Sequence, residues 1–235
     1  VIPISDMLRR RRGFPIVNIL LILANIYVFV VYELGQPSER ALEQFVRAAG
    51  VIPVEIVSGR DVPPLAPFGN IYATLLTSMF LHGGLLHIGS NMVYLWVFGD
   101  NVEDDFGHLS YAIFYTVCGL FAGLAHVFMN LGSTVPSIGA SGAIAGVLGA
   151  YLVMYPQAQI RTLLFLGPFI TMPRISALFL IGFWFVIQLL SGFVSLGVQT
   201  EQTSGVAVWA HVGGFLAGFV LVHFFRSRRT SYSRV

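Results

Sequence analysis

Residues 206–225 read VAVWAHVGGFLAGFVLVHFF. These 20 residues contain no Asp, Glu, Lys or Arg, and about 20 apolar residues are what an α-helix needs to cross a bilayer. The segment also carries a pattern. His211, Gly214 and Gly218 stand at i, i+3 and i+7, so they share one helical face. An imidazole inside hydrocarbon is costly and is usually paired or functional. Glycines beside it let a second helix backbone approach closely.

The rest of the chain fits that reading. Hydrophobic residues make up 56% of the 235 and charged residues only 10%, against roughly 25% charged in a soluble domain. Such a chain has too little polar surface for a cytosolic enzyme, a disordered protein or a nucleic-acid binder. The net charge is only +2, and all 13 basic residues are Arg. The single cysteine, Cys118, lies in an apolar run, so no disulfide framework exists. Glycine is abundant, at 25 residues, as closely packed membrane helices require.

Six stretches are expected to span the membrane: 15–34, 84–101, 108–131, 140–155, 173–191 and 206–225. The fold class expected is all-α, a six-helix membrane bundle. The first stretch follows Arg9 to Arg12 and is read as a retained helix; it is long for a signal segment, and no small-residue cleavage site precedes Glu33. The connection 35–83 is a long first extracytoplasmic loop holding Pro37, Pro53, Pro63, Pro64 and Pro67. Within it, 38–49 reads as a surface helix and the remainder as loop lying against the bilayer, with 71–83 running back toward the second span. The chain divides into a basic cytoplasmic N-terminus at 1–14, a six-helix domain at 15–225 and a basic cytoplasmic tail at 226–235.

Arginine placement sets the orientation. With both ends inside, Arg9 to Arg12, Arg161, Arg174, Arg226, Arg228, Arg229 and Arg234 are cytoplasmic, ten of the 13. Only Arg40, Arg47 and Arg60 face outward, all in the first loop. The localisation expected is the cell membrane.

Polar residues inside spans are the candidates for function. Some have simple structural readings. Asn18 and Asn25 fit hydrogen bonds to a neighbouring helix, Ser176 fits a bond to its own helix backbone, and His223 sits at the inner interface. His82, His87 and Asn91 form H-x4-H-x3-N, with His87 and Asn91 on one face. A polar seam joining two helices explains them; a zinc site does not, since no carboxylate accompanies them and no H-E-x-x-H pair is present. Neither metal nor cofactor is expected.

Gly139-Ala140-Ser141-Gly142 opens the fourth span, where a Ser is commonly an N-cap. Its neighbours favour another reading. Gly142, Ala145, Gly146 and Gly149 line one face, matching the glycine face of the sixth span. Packing the two faces together brings Ser141 and His211 within hydrogen-bond reach, a nucleophile beside a base. From Gly139 to Tyr155 is 17 residues, about 25 Å of helix in a core about 30 Å thick. Ser141 and His211 therefore fall at similar depth, a few Å below the outer surface, and water must reach them through a cavity open to that side. Ala125-His126-Val127 repeats Ala210-His211-Val212 but lacks the two glycines that follow; His126 is read as a packing residue.

In combination and order these residues resemble the rhomboid family of intramembrane serine proteases. The resemblance rests on FLHGGLLHIGSN at 80–91, VEDDFG at 102–107, GASG at 139–142 and AHVGGFLAG at 210–218, with VIPISD and RRRRGFPIVN at the amino terminus. It implies that Ser141 is the nucleophile and His211 the general base, a dyad without an acid. It implies that Asn91 and His87 surround the oxyanion together with the Ser141 backbone N–H. It gives His82, Gly139, Gly142, Gly214, Gly218 and Glu103 supporting roles: loop geometry at His82, close packing at the glycines, and a structural motif with Gly107 at the inner end of the second span. The partners implied are the lipid bilayer and membrane-protein substrates cut in or near a transmembrane segment.

Two departures stand out. Some members carry an aromatic residue four positions after the nucleophile, stacked on the base; here that residue is Ala145, so another group must orient His211. The first loop also lacks a Trp-Arg pair, for which Arg60 is not an obvious substitute. The alternative is a rhomboid-like pseudoprotease that binds membrane proteins without cutting them, though such proteins typically lose the Ser or the His. A transporter would need internal repeats or mid-membrane charges. An aspartyl protease would need two membrane acids, and Asp100 is alone. The fifth span and the loop 192–205 are the expected gate.

Overall fold

The computed structural model describes residues 1–8, 13–167, 169–197 and 207–226. Arg9 to Arg12, Arg228, Arg229, Arg234 and Gly205, with most of the expected gate loop beyond Gly197, lie outside the described residues. Helices occupy all six apolar stretches. Four of them are long and apolar enough to cross a membrane, and the second stretch joins them if a helical segment bent by 80° counts as one span. The fourth is shorter, at 14 residues, or about 21 Å.

Strand β1 (Ile2–Asp6) precedes helix α1 (Ile16–Tyr27), which widens into a π-helical turn over Val28–Glu33. α1 is capped from a distance. The backbone N–H groups of Val17 and Asn18 donate to the two carboxylate oxygens of Glu103 at 2.9 and 2.7 Å. A helix start has unpaired N–H groups and a positive dipole end, and a buried carboxylate answers both. Asn18 then joins three helices: its amide donates to the Leu95 carbonyl at 3.0 Å, and its oxygen accepts from the Tyr111 hydroxyl at 2.9 Å. Asn25, expected to do the same, bonds the Leu21 carbonyl of its own helix instead. Glu103 is 1% exposed, and its other partner is His108. Glu103→Ala is expected to lower stability by about 3 kcal/mol or more, since each bond to a charged acceptor contributes about 1.5–3 kcal/mol. Thermal unfolding in detergent measures it.

The first loop is more structured than its proline content predicts. It holds α2 (Glu39–Ala49), capped by Ser38, α3 (Pro53–Ser58) and α4 (Thr74–Thr77). α2 matches the surface helix read from sequence. Val51 and Ser137 exchange backbone hydrogen bonds, and the Gly139 N–H donates to the Ser78 carbonyl at 2.9 Å. The loop is thus fastened to the segment that enters the fourth span. Residues 71–83 do not run smoothly into the second span. The chain turns sharply at Gly83-Gly84, where Gly84 takes φ +148°, before α5 (Leu85–Phe106) begins. Such a φ is open to glycine and strained for other residues. The Glu33 carboxylate accepts the His82 backbone N–H at 2.9 Å and pins this turn to the end of the first span.

Gly107, at φ +83°, separates α5 from α6 (His108–Met129). α7 (Ser141–Met154) is the central helix, buried on nearly every side, as an element apolar all round should be. It is followed by β2 (Gln159–Leu166), β3 (Phe169–Thr171), β4 (Arg174–Ser176), α8 (Ala177–Gly197) and α9 (Val208–Phe225).

A small antiparallel sheet accompanies the helical bundle and was not expected from the sequence. β2 pairs with β1, β3 and β4, so residues 174–176, read as the start of the fifth span, are strand, and the helix begins at Ala177. Asp6 at the end of β1 accepts from Asn101 of α5 at 2.6 Å and from Tyr151 of α7 at 2.7 Å. These bonds lock the sheet to the helix ends. The molecule remains predominantly helical, a membrane bundle with a sheet at one end.

Candidate active site

α7 and α9 meet backbone to backbone. A Cβ placed on Gly214 would collide with the Gly142 carbonyl oxygen, and one on Gly218 with the Gly146 carbonyl oxygen. A Cβ on Gly149 would strike the Phe215 carbonyl oxygen. The complementary glycine faces read from the sequence are therefore in contact.

At the upper end of this seam the Ser141 hydroxyl donates to His211 Nε2 at 2.7 Å. Ser141 is the first residue of α7, preceded by Ala140 at the cap position, so it is not itself the N-cap. The hydroxyl is directed at the histidine of the partner helix instead. On the other side of the ring, Nδ1 lies 2.8 Å from Gln188 Oε1 of α8. An amide oxygen only accepts, so Nδ1 carries the proton and Nε2 presents its lone pair to Ser141. The Trp184 ring lies 5.8 Å from the imidazole, centroid to centroid.

His87 and Asn91 come from the first turns of α5. The Gly83 N–H donates to His87 Nδ1 at 3.2 Å, which places the ring proton on Nε2. That nitrogen faces Gly139, which takes φ +128°. The point where a Cβ on Gly139 would sit is 2.9 Å from His87 Nε2 and 3.5 Å from Ser141 Oγ. The missing side chain leaves a gap between a donor and a hydroxyl. Asn91 is 5% exposed, and its amide nitrogen has no hydrogen-bond partner among the described residues. Buried donors are rarely left unpaired. His82 is buried with its ring 5.0 Å from that of His87; neither of its ring nitrogens has a partner among the described residues. A small cavity opens beside Ser141, lined by Ser78, Met79, Gly119, Ala122 and Ile138 among others.

The structure thus gathers Ser141, His211, His87, His82, Gly139, Gly142 and Gly214 in one region, with Gly218 a turn further along the seam. Glu103 is elsewhere. Twelve residues beyond Asn91 on α5, or about 18 Å along the helix, it caps α1. His126 bonds with Asn130 through its carbonyl, at 2.8 Å. Gln188, one of the polar residues inside the expected spans, and Trp184 are the neighbours to which sequence reading gave no role. The signal available was one amide in the middle of an apolar span, four residues after a Trp. Among the described residues no group of three or more His, Cys, Asp or Glu could hold a metal ion.

An apolar helical bundle with a Ser–His pair held where two helices touch through glycine defines a class of multi-pass membrane protein. The Rhomboid domain profile matches residues 70–228. The chain is 33% identical to RHOMBOID-like protein 5 of Arabidopsis thaliana over 63% of its length, covering 42% of that protein. It is 30% identical to RHOMBOID-like protein 7 of the same plant over 92% of its length and 66% of the relative's. With the Rhomboid protease GluP of Bacillus subtilis it shares 32% identity over 62% of its length, covering 24% of that protein. The chain spans less than half of the first of these relatives and about a quarter of the last. It belongs to the rhomboid family.

Proposed function

We propose that this protein is an intramembrane serine endopeptidase that hydrolyses peptide bonds in or near transmembrane segments of other membrane proteins. The observation that carries the reading is the 2.7 Å hydrogen bond from Ser141 to the unprotonated nitrogen of His211. Ser141 Oγ attacks the scissile carbonyl carbon while His211 Nε2 takes its proton. The carbonyl oxygen becomes an oxyanion, for which the Ser141 backbone N–H, His87 Nε2–H and the Asn91 amide are the donors. His211 passes its proton to the leaving amine, leaving an ester on Ser141. A water molecule, deprotonated in turn by His211, hydrolyses that ester.

The gap over Gly139 fits this scheme, because a reacting oxygen must sit about 3 Å from both the nucleophile and the donors. Gly139→Ala would put a methyl group there and strain the backbone at φ +128°. The expected result is a fall in kcat of about 100-fold, the scale of losing an oxyanion donor, read from cleavage rates in detergent.

The cavity beside Ser141 is lined partly by Gly and Ala and fits a small side chain at the cleaved position. α8 is the proposed gate: only 17% of its apolar span is buried, against 33% for α6 and α9. Cross-linking α8 to α5 is expected to block cleavage. All six helices are taken as spans, with the site toward the outer side. The domain runs over 15–225, between cytoplasmic segments at 1–14 and 226–235; the arginine distribution favours this orientation, and the membrane proposed is the cell membrane. A rhomboid-like pseudoprotease is the alternative. The test is cleavage of single-span substrates with helix-weakening residues, reconstituted with the protein in liposomes. Cleavage supports the protease; an intact panel that still co-purifies with the protein supports the pseudoprotease.

A further inference from the structure

The serine–histidine reading leaves one element of the site without a support. A dyad with no acid needs something to hold the imidazole in one tautomer and one orientation. Position 145, four after the serine, is a buried Ala and offers neither a ring nor a polar atom. The support comes from another helix. Trp184 and Gln188 stand at i and i+4 on α8, hence on one face. The first lies beside the His211 ring, and the second accepts its Nδ1–H at 2.8 Å.

We infer that Gln188 is a positioning residue for His211, and that the base is correctly set only while α8 is seated against α9. This rests on the reading of Ser141 and His211 as the hydrolytic pair. The chemistry is specific. With the amide oxygen facing the ring, the proton is confined to Nδ1 and the lone pair of Nε2 points at Ser141. With that acceptor gone, the ring can hold its proton on Nε2, where it cannot take the serine proton. The titratable groups near enough to act electrostatically on His211 are His87 of α5 and His126 of α6. α7, α8 and α9 carry no Asp or Glu, so the neutral amide takes the place that a carboxylate fills in a triad. α8 is also the least buried of the apolar spans. An outward movement of α8 that admits a substrate would release Nδ1, and its return would restore the base. Entry and activation are then coupled through one hydrogen bond.

The test uses Gln188→Leu and Gln188→Glu in the full chain. Gln188→Leu is expected to lower kcat about tenfold or more, the scale of leaving one buried donor unpaired, with KM nearly unchanged. Gln188→Glu restores an acceptor and is expected to recover turnover. Its carboxylate favours the imidazolium, so the acid limb of the kcat–pH profile should move to higher pH. A purely structural role would move neither the profile nor the recovery. Histidine-labelled ¹⁵N NMR, with His211→Gln to assign the signal, reads the tautomer without catalysis. Nδ1–H in the wild type, lost in Gln188→Leu, is expected. A wild-type kcat and pH profile in Gln188→Leu would overturn the inference, as would an Nε2–H tautomer in the wild type. If the tautomer depends on Gln188 but no wild-type turnover exists, the hydrolytic reading fails and the positioning stands.

Discussion

Ser141→Ala should abolish cleavage, and His211→Ala should abolish it to the same floor. Without Ser141 no ester can form. Without His211 the hydroxyl keeps its proton and is a poor nucleophile at neutral pH. Residues that act as one unit are strongly non-additive, and each loss in such a unit costs about 10⁴-fold or more in kcat. The double variant should therefore be no slower than either single one. The fold should survive both changes, because the α7–α9 seam is built from glycine backbones and only the two hydrogen bonds made by His211 are lost. Rates in liposomes and thermal unfolding of the same preparations separate loss of chemistry from loss of structure. Additive effects of two small losses would point to a merely structural Ser–His contact.

Gly218→Ala is the second large effect expected, and it acts without touching the site. The added methyl would fall on the carbonyl oxygen, carbon and Cα of Gly146. These are backbone atoms in the central helix, so no flexible side chain can move aside. Overpacking commonly costs about 1–3 kcal/mol, and occasionally more; a contact this close belongs at the upper end. The relief open to the molecule is for α9 to withdraw from α7. That lengthens the 2.7 Å contact between His211 and Ser141, and a displacement of about 1 Å can cost about 100-fold in rate. Gly218→Ala should thus lower both unfolding temperature and kcat. Gly182→Ala in α8 is the control, since a Cβ there meets nothing within 4 Å. It should leave both unchanged.

The glycines explain why so much of the site was legible in the sequence. Gly142, Gly146, Gly214 and Gly218 recur at helical spacing on two segments, and only close packing makes use of both faces. Once those faces are joined, Ser141 and His211 come together. The apolar stretches marked the helices equally well, because length and hydropathy are local properties. What escaped was non-local or chemically silent. β1 finds its partner β2 more than 150 residues away, and neither segment announces the pairing. The Glu103 carboxylate was legible only as part of a structural motif at the inner end of the second span, yet it caps a helix 85 residues earlier in the chain. Asn18 and Asn25 look alike in sequence but differ in role, since Asn18 bonds to α5 and α6 while the amide of Asn25 bonds to its own helix. Gln188 is one amide in an apolar helix, and its meaning depends on Ala145 leaving the histidine unsupported.

The central claim is that Ser141 is a nucleophile activated by His211 inside the membrane. Reaction with a fluorophosphonate, followed by mass spectrometry of the labelled peptide, tests it without knowledge of any substrate. The account predicts one adduct, on Ser141, formed in detergent and in liposomes and lost in His211→Ala. Absence of an adduct on Ser141, or equal labelling when His211 is removed, would contradict it.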